Sequence, residues 1–568
     1  MRILEELERI ASHRLEGNSP VALCYDDEEL SWLELSSYSD RLAVFLDRTY
    51  PGDRQAIVVY GHKSPWMVVA FLACMKSGHA YCPVDSYYPT QRVLRIVETV
   101  ANPCVLMIEP LALDESYKPL SLTEIKKLVN FSSDRAPFNA ASLTKSGESA
   151  HCSTVDRLCP LRDDETCYMI FTSGSTGDPK GVQISGSNLW SFTKWISDLV
   201  RSSPHSPFTN DYQTQIRCLN QAPFSFDLSA MDLYLALISG GTVCSIPRHV
   251  IDDPKQLFNA LFSLNLDVWV STPSFVDLCL TERDFDETHL PGLKIFLFCG
   301  ETLTNRSYDK LQQRFPHADI YNTYGPTETT VAVTEVLVTP EISATEQPLP
   351  VGKAKPGTRI CIMDGGGGLT ATPVAEGGAV AASVAVAAAS CEGEIIIAGD
   401  SVSLAGYFKK PEQTARAFFE LNLDGQTYHA YHTGDLGYLK GEQLYYQGRM
   451  DSQIKLHGYR IELGDIERNL LQLPGVEHAA VLPSYRRGQI HSLTAYVQCV
   501  QFAPDKVTPD LTSLNDPALD EAKLAQLLRE DLAQLLPDYM LPRKVVFVSD
   551  WPMTENGKLD RKRLEGLV

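Results

Sequence analysis

The sequence predicts an α/β protein: a large N-terminal domain of mostly parallel sheets and helices with a β-rich subdomain, then a small α+β domain. Three observations carry this. Short β-rich runs alternate with helical patterns from residue 55 to about 330, the texture turns antiparallel after Gly393, and a mixed unit follows Arg460. The 568 residues also exceed what one core of ordinary size organises.

In order, "QAIVVYG" precedes "PWMVVAFLACMKSG", "RCLNQAP" precedes "DLSAMDLYLALISGG", and "DVWVSTPS" precedes "FVDLCL". "LKIFLFCG" then leads through a helical stretch to "ADIYNTYG". Buried strands alternating with helices imply parallel sheets covered on both faces. Ligands of such folds bind beyond the carboxyl ends of strands, and several of these runs end in Gly, Ser, Thr or Asn. "GEIIIAG" and "YHAYHTGDLGYLKGEQLYYQGRMDSQIKLHG", with its "KGEQ" turn, predict antiparallel structure. "IELGDIERNLLQL", "HAAVLPS", "LTAYVQCV", "DEAKLAQLLREDLAQLL" and "KVVFVSD" predict the final unit, about 120 residues and of ordinary domain size. The boundary is set at "GRMDSQ", near Asp451, giving domains 1–450 and 451–568. Residues 131–150, polar and aperiodic, and 365–390, rich in Gly and Ala, read as inserted surface loops.

With 44% hydrophobic and 21% charged residues the chain reads as soluble and globular. A net charge of −21 argues against nucleic acid or an anionic membrane as partner. It leaves room for a small anion held by backbone amides and one or two cations. The fourteen cysteines form no CxxC pair, and most sit in apolar runs such as "FLACM" and "IFLFCG" as small core side chains. The N-terminus lacks a signal-peptide apolar region, and no run approaches a membrane span. A reducing, cytoplasmic setting is expected.

Five stretches carry chemistry. "CYMIFTSGSTGDPKGV" puts Thr172, Ser173, Gly174, Ser175, Thr176, Gly177 and Lys180 after a strand-like run. The spacing misses G-x-x-x-x-G-K-[ST], yet amides freed by glycine, hydroxyls and a lysine suit a polyphosphate; the alternative is a plain turn. "IYNTYGPTETTVAVT" offers Tyr324 to a purine face, Asn322 and Thr323 to its edge and Glu328 to a hard cation such as Mg²⁺, or else forms a type I turn before a capped helix. In "YHTGDLGYL", Asp435 either accepts ribose hydroxyls or belongs to a hairpin turn. In "NQAPFSFDLSAMDLY", Asp227 is a helix N-cap or the counter-ion of a ligand ammonium. Lys558 in "MTENGKLDRKRL", like Arg449 in "YYQGRMD", is a surface charge or a cation delivered into a cleft.

Together these stretches resemble the adenylate-forming enzymes, the superfamily of acyl-CoA synthetases and nonribosomal peptide synthetase adenylation domains. The signatures are "FTSGSTGDPKGV", "NTYGPTE", "YHTGDLGYL", "GRMDSQIKLHGYRIEL" and "NGKLDR". The chain is most similar to members that load D-alanine onto a carrier protein, from about residue 20 onward except in the two inserted stretches. The resemblance implies an acyl-CoA synthetase-like fold whose small domain is a mobile lid hinged at Asp451. It implies ATP and Mg²⁺, formation of an acyl adenylate, and transfer to the thiol of a phosphopantetheinylated carrier protein. Lys558 would touch the carboxylate and α-phosphate, and loop 172–180 the β- and γ-phosphates. Asn322, Thr323, Tyr324, Gly325, Pro326 and Thr327 would hold the adenine side, Asp435 and Arg449 the ribose, with Tyr446 beside the nucleotide. Glu328 would ligate Mg²⁺. Asp227 would pair with the α-ammonium of D-alanine, Cys299 would crowd its α-carbon, and Val331 would lie near it.

No carrier-type Ser motif follows Lys558, so a separate carrier is expected. A monomeric enzyme with no nucleic-acid partner and no membrane span is also expected. In a Gram-positive host the resemblance implies D-alanylation of teichoic acids. The rival expectations are an enzyme for another small amino acid, an acyl-CoA synthetase, and a nucleotide-binding relative without turnover. Lys558, Asp435, Glu328 and the loop count against the last.

Overall fold

A computed structural model describes residues 1–14, 19–50, 54–130, 158–173, 179–208, 215–364, 369–371, 392–451, 453–456, 458–486, 489–499, 521–549, 551–553 and 559–566. The chain divides into two compact units. One comprises Met1–Ser86, Val100–Ile170 and Gly181–Gly448; the other comprises Tyr87–Thr99, Phe171–Lys180 and Arg449–Val568.

The first unit contains a nine-stranded sheet in the order Lys353–Ala354, Thr334–Leu337, Asp319–Tyr324, Ile295–Phe298, Val268–Ser271, Arg217–Asn220, Thr242–Ser245, Val21–Tyr25 and Glu28–Ser31. From Asp319–Tyr324 to Val21–Tyr25 every pairing is parallel, and antiparallel strands close both edges. A second, six-stranded sheet has Ile57–Tyr60 at its centre, paired in parallel with Tyr81–Val84 and Cys104–Met107. The alternation of short apolar runs and helices read from residues 55 to 330 is therefore largely parallel sheet, with strands such as "IVVY", "VWVS" and "IFLF" buried along their whole length.

Two helices form the apolar interior of this unit. Pro65–Lys76 is buried along its whole length; the Ser64 side chain caps it by accepting from the Trp66 amide, and Pro65 fits its first turn. Leu228–Ile238 is buried from Leu228 through Leu237. Both belong to one continuous core with Ile57, Tyr168 and Ile295. Helix and sheet are tied by Tyr234 and Tyr81, whose hydroxyls lie 2.8 Å apart.

The antiparallel reading after Gly393 holds. Thr358–Met363, Gly393–Gly399, Gln426–Lys440 and Phe418–Leu423 are successive neighbours in one sheet, and Gln443–Arg449 returns along Gln426–Lys440. Gly441, at φ +63, lies in the "KGEQ" turn. One expectation is corrected here. The Gly/Ala-rich stretch 365–390 is not loop throughout, because Leu369–Ala371 is a strand in antiparallel register with Cys361–Met363. "LTA" supplies the apolar and β-branched side chains that a sheet edge accepts. The rest of that stretch, and residues 131–150, lie outside the described residues.

In the second unit, the ribbon Gln453–Leu456 and Tyr459–Glu462 leads into helix Leu463–Leu471. A three-stranded sheet of Val476–Arg486, Gln489–Cys499 and Lys544–Phe547 follows, with helix Glu521–Ala533. Leu463, Ile466, Val481, Val497, Leu524 and Leu528 share its own core.

Candidate active site

Four parallel neighbours, Arg217–Asn220, Val268–Ser271, Ile295–Phe298 and Asp319–Tyr324, end at one edge of the large sheet, since Val270 is level with Asn220 and Phe298 with Asn322. Chain leaving that edge carries Asp227, Cys299 and the 325–331 turn. Open parallel sheets bind ligands along such an edge. Of the runs ending in Gly, Ser, Thr or Asn, the strands that end at Asn220 and Ser271 lie on this edge.

Tyr324 and Asp435 meet although 111 residues separate them: the Tyr324 hydroxyl donates to Asp435 Oδ2 at 2.6 Å. Burial, then the Asp435 charge, push the Tyr324 hydroxyl well above its ordinary range, which fixes it as the donor. The hairpin alternative for Asp435 fails, because the residue lies inside the 15-residue strand Gln426–Lys440. What sets it apart is a bulge. Glu394 pairs with Leu436 but Ile396 with His432, so two extra residues stand on the Asp435 strand. Gly434 there adopts φ +69. The bulge is braced by Glu394, whose Oε1 accepts from the Gly434 amide at 2.9 Å and whose Oε2 lies 3.0 Å from His432 Nδ1. Thr433 Oγ1 donates to the Ile395 carbonyl and accepts from the Asp435 amide. The Tyr446 ring lies 5.8 Å from that of Tyr324.

Asn322 and Thr323 are buried, with side-chain donors on the carbonyls of Pro350 and Phe298 at 2.8 Å each. The segment after Tyr324 is not a type I turn before a capped helix. It is a single 3₁₀ turn, Thr327–Thr329, preceded by Pro326 and without a side-chain cap. Thr330 and Val331 then adopt φ +63 and +68, a region that costs β-branched residues about 1–3 kcal/mol each. The chain folds back so closely that a Cβ on Gly325 would stand 2.6 Å from Ala332 Cα. Long-range bonds hold this shape: Thr330 Oγ1 donates to the Ser401 carbonyl at 2.8 Å, and the Cys299 thiol to the Val331 carbonyl at 3.6 Å. Cys299 and Val331 are thereby brought together.

Glu328 sits in this turn, 1% exposed, and its Oε1 accepts from the Tyr407 hydroxyl at 2.8 Å. Among the described residues no group of three or more His, Cys, Asp or Glu gathers as a metal nest. A lone protein carboxylate fits Mg²⁺, which commonly takes one or two carboxylates and the phosphates of its nucleotide.

Asp227 occupies the N-cap position of Leu228–Ile238 but makes no capping bond, and its backbone is already helical at φ −61, ψ −26. It is buried, and its charge adds to burial in raising the Tyr168 hydroxyl.

Within the second unit, Arg449 and Asp451 form a two-point ion pair, with Nε to Oδ1 at 2.9 Å and Nη2 to Oδ2 at 2.5 Å. Partial desolvation pushes the Asp451 carboxyl up, but the Arg449 hydrogen bond and charge outweigh it and leave the group below its ordinary value. Ser173 is held by the Gln453–Glu462 ribbon: its hydroxyl donates to the Arg460 carbonyl at 2.8 Å and accepts from the Glu462 amide at 3.2 Å. Burial raises the Glu462 carboxyl, opposed by the Gln453 hydrogen bond and by the charges of Lys180 and Arg460. Thr172 ends strand Thr166–Thr172 and Lys180 begins strand Lys180–Ser185. Gly174, Ser175, Thr176, Gly177 and Lys558 lie outside the described residues.

Sequence reasoning missed Glu394 and Tyr407. Glu394 in "GEIII" reads as an ordinary strand carboxylate, and Tyr407 in "LAGYF" as an ordinary aromatic. Only the fold brings them to Asp435 and Glu328.

The sheet topology and the motifs together define an adenylate-forming enzyme fold. The AMP-binding enzyme family model matches residues 14–408 and the AMP-binding enzyme C-terminal domain model residues 465–558, so the chain belongs to the AMP-binding enzyme family. It is 41% identical over 566 residues to a D-alanine–D-alanyl carrier protein ligase of Bacillus cytotoxicus, covering 99% of each chain. It is 40% identical over 565 residues to the Bacillus anthracis protein of the same name, again at 99% of each. Among solved structures, the Vibrio cholerae adenylation domain AlmE in complex with glycyl-adenosine-5'-phosphate shares the fold, with TM-score 0.73, 20% identity and coverage of 100% of this chain and 97% of that one. So does holo-PA1221, a nonribosomal peptide synthetase protein with adenylation and carrier domains, with TM-score 0.72, 24% identity and coverage of 100% and 84%.

Proposed function

We propose that this chain is a ligase that activates D-alanine with ATP and transfers it to the phosphopantetheine thiol of a separate carrier protein. The observation that carries this reading is the end-to-end likeness, at 40–41% identity, to ligases named for that reaction. In the first step an oxygen of the D-alanine carboxylate bonds to the α-phosphorus of ATP and pyrophosphate leaves. In the second the carrier thiol, giving up its proton, bonds to the adenylate carbonyl and AMP leaves.

Asp227 pairs with the α-ammonium, and Cys299 and Val331 crowd the α-carbon. Asp435, oriented by Tyr324 and by the bulge that Glu394 braces, accepts the ribose hydroxyls, with Arg449 and Tyr446 beside them. Asn322 to Thr327 line the adenine side. Their side-chain bonds to Pro350 and Phe298 favour a wall-forming part for Asn322 and Thr323. The loop from Thr172 through Lys180 holds the β- and γ-phosphates, and Lys558 stands at the α-phosphate, where negative charge grows as the carboxylate attacks. Glu328 would hold Mg²⁺, which when bound neutralises phosphate charge. Residues 451–568 act as the lid that carries Lys558 in for adenylation and away for thiol transfer, with Asp451 as hinge.

A buried aspartate at position 227 suits a substrate that brings an ammonium group, as an amino acid does and a simple carboxylic acid does not. A cytoplasmic, monomeric enzyme is the setting we infer. No cysteine among the described residues forms a disulfide, and no described helix is long and apolar enough to cross a membrane. Intact-mass analysis of a phosphopantetheinylated D-alanyl carrier protein, incubated with the chain, ATP and D-alanine, tests the reading. A hydroxylamine-labile gain of one alanyl group is expected. Transfer to coenzyme A with none to the carrier would overturn it.

A further inference from the structure

A cluster of buried polar groups that the two half-reactions leave unused lies beneath the segment delivering Asp227. Lys63 is 2% exposed, two residues ahead of helix Pro65–Lys76, in left-handed backbone at φ +47. Its Nζ donates to the Asn220 carbonyl at 2.8 Å and to that of Gln221, at the point where strand Arg217–Asn220 becomes loop. Asn220 passes the connection on: its Nδ2 donates to Asp232 Oδ1 at 2.7 Å, and its Oδ1 accepts from Ser245 Oγ at 2.8 Å. Asp232 is fully buried, just over one turn into the helix that begins after Asp227, and its Oδ2 accepts no hydrogen bond among the described residues.

Both ends of the segment 220–232 are thereby fixed by one polar network. Burial pulls the Lys63 amine down to about 7, against the pull of the Asp232 and Asp85 charges, and pushes the Asp232 carboxyl well above the carboxylate range. A neutral amine keeps donors for both carbonyls, so the geometry does not need a formal ion pair. What the polar groups add is direction: one amine reaches the carbonyls of both Asn220 and Gln221, and the Asn220 amide ties that point to the helix start at Asp232. Phe224, midway along the segment, is steadied by an edge-on contact with Phe71, ring centroids 5.3 Å apart, on the helix that follows Lys63.

We propose that Lys63, Asn220 and Asp232 are positioning residues that hold both ends of the 220–232 segment and so aim Asp227 at the ammonium group of the amino acid. This rests on the reading of Asp227 given above. The test is amino-acid-dependent ATP–pyrophosphate exchange by the full chain carrying K63M, D232N, D227N or K63M with D227N. K63M is expected to raise KM for D-alanine about tenfold while kcat and KM for ATP stay within about twofold. D232N, which keeps the acceptor for Asn220, should shift KM for D-alanine the same way by about threefold and decides the matter if K63M does not fold. Added to D227N, K63M should contribute less than about twofold, because a residue that acts through Asp227 has nothing left to act on. Effects of K63M and D227N that multiply, or a KM for D-alanine unmoved by both K63M and D232N while D227N raises it, would overturn the positioning role alone. A KM unmoved by D227N would overturn the reading of Asp227, and the positioning role with it.

Discussion

Asp435 in the first unit and Asp451 in the second are each held by one strong partner, and the manner of holding differs. Asp435 is 1% exposed, bonded to a tyrosine 111 residues away and presented on a bulge that a third strand braces. Asp451 is exposed, and its partner Arg449 is two residues away on the same stretch of chain. The first arrangement exists only when the whole sheet is folded and cannot shift without unpacking it. The second is local, so it can persist or open with changes of a few backbone dihedrals. The first kind suits the ribose-binding part proposed for Asp435, and the second suits the hinge proposed at Asp451.

The largest effect expected concerns the lid. Lys558→Ala should lower pyrophosphate exchange about 10³-fold while AMP binding, read by calorimetry, stays within a few-fold, as for loss of a transition-state cation. Unchanged exchange would remove Lys558 from the chemistry. Next, Asp435→Ala should raise KM for ATP about 100-fold, from the loss of charged hydrogen bonds to ligand, and Tyr324→Phe about tenfold by letting the carboxylate swing. If Tyr324→Phe were silent, the buried pair would be packing rather than orientation, and the contrast with Asp451 would weaken. Cys299→Ala should narrow the preference for D- over L-alanine by less than about tenfold, since an apolar pocket reads one methyl only modestly. The smallest effect is at the hinge: Asp451→Ala should leave exchange within about twofold and slow thioester formation about fivefold in single-turnover assays. Equal slowing of both steps would make Asp451 structural and erase the difference between the two carboxylates.

The fold was legible because parallel strands buried on both faces must be written as apolar runs, and "IVVY", "VWVS" and "IFLF" are such runs. The positions of Asp435, Cys299 and Asp227 were legible as motifs. Their geometry was not. No local rule puts Thr330 and Val331, both β-branched, at φ +63 and +68; contacts with Ser401 and Cys299 impose it. Nor does "YHTGDLGYL" announce a bulge, since the extra residues are defined only against Gly393–Gly399. "FDLS" reads as an N-cap because Asp is a good cap, and only the structure reveals that the carboxylate leaves the helix uncapped. The grouping of Tyr87–Thr99 and Phe171–Lys180 with residues 449–568 is likewise a property of contacts between distant segments, invisible to composition.

The most direct test is the exchange reaction itself, run with the unmodified chain across D-alanine, L-alanine, glycine, other small amino acids and short fatty acids. D-alanine should give the highest kcat/KM, with L-alanine lower by about 10–200-fold and fatty acids inert. Exchange driven far better by L-alanine or by a fatty acid than by D-alanine would contradict the proposed function.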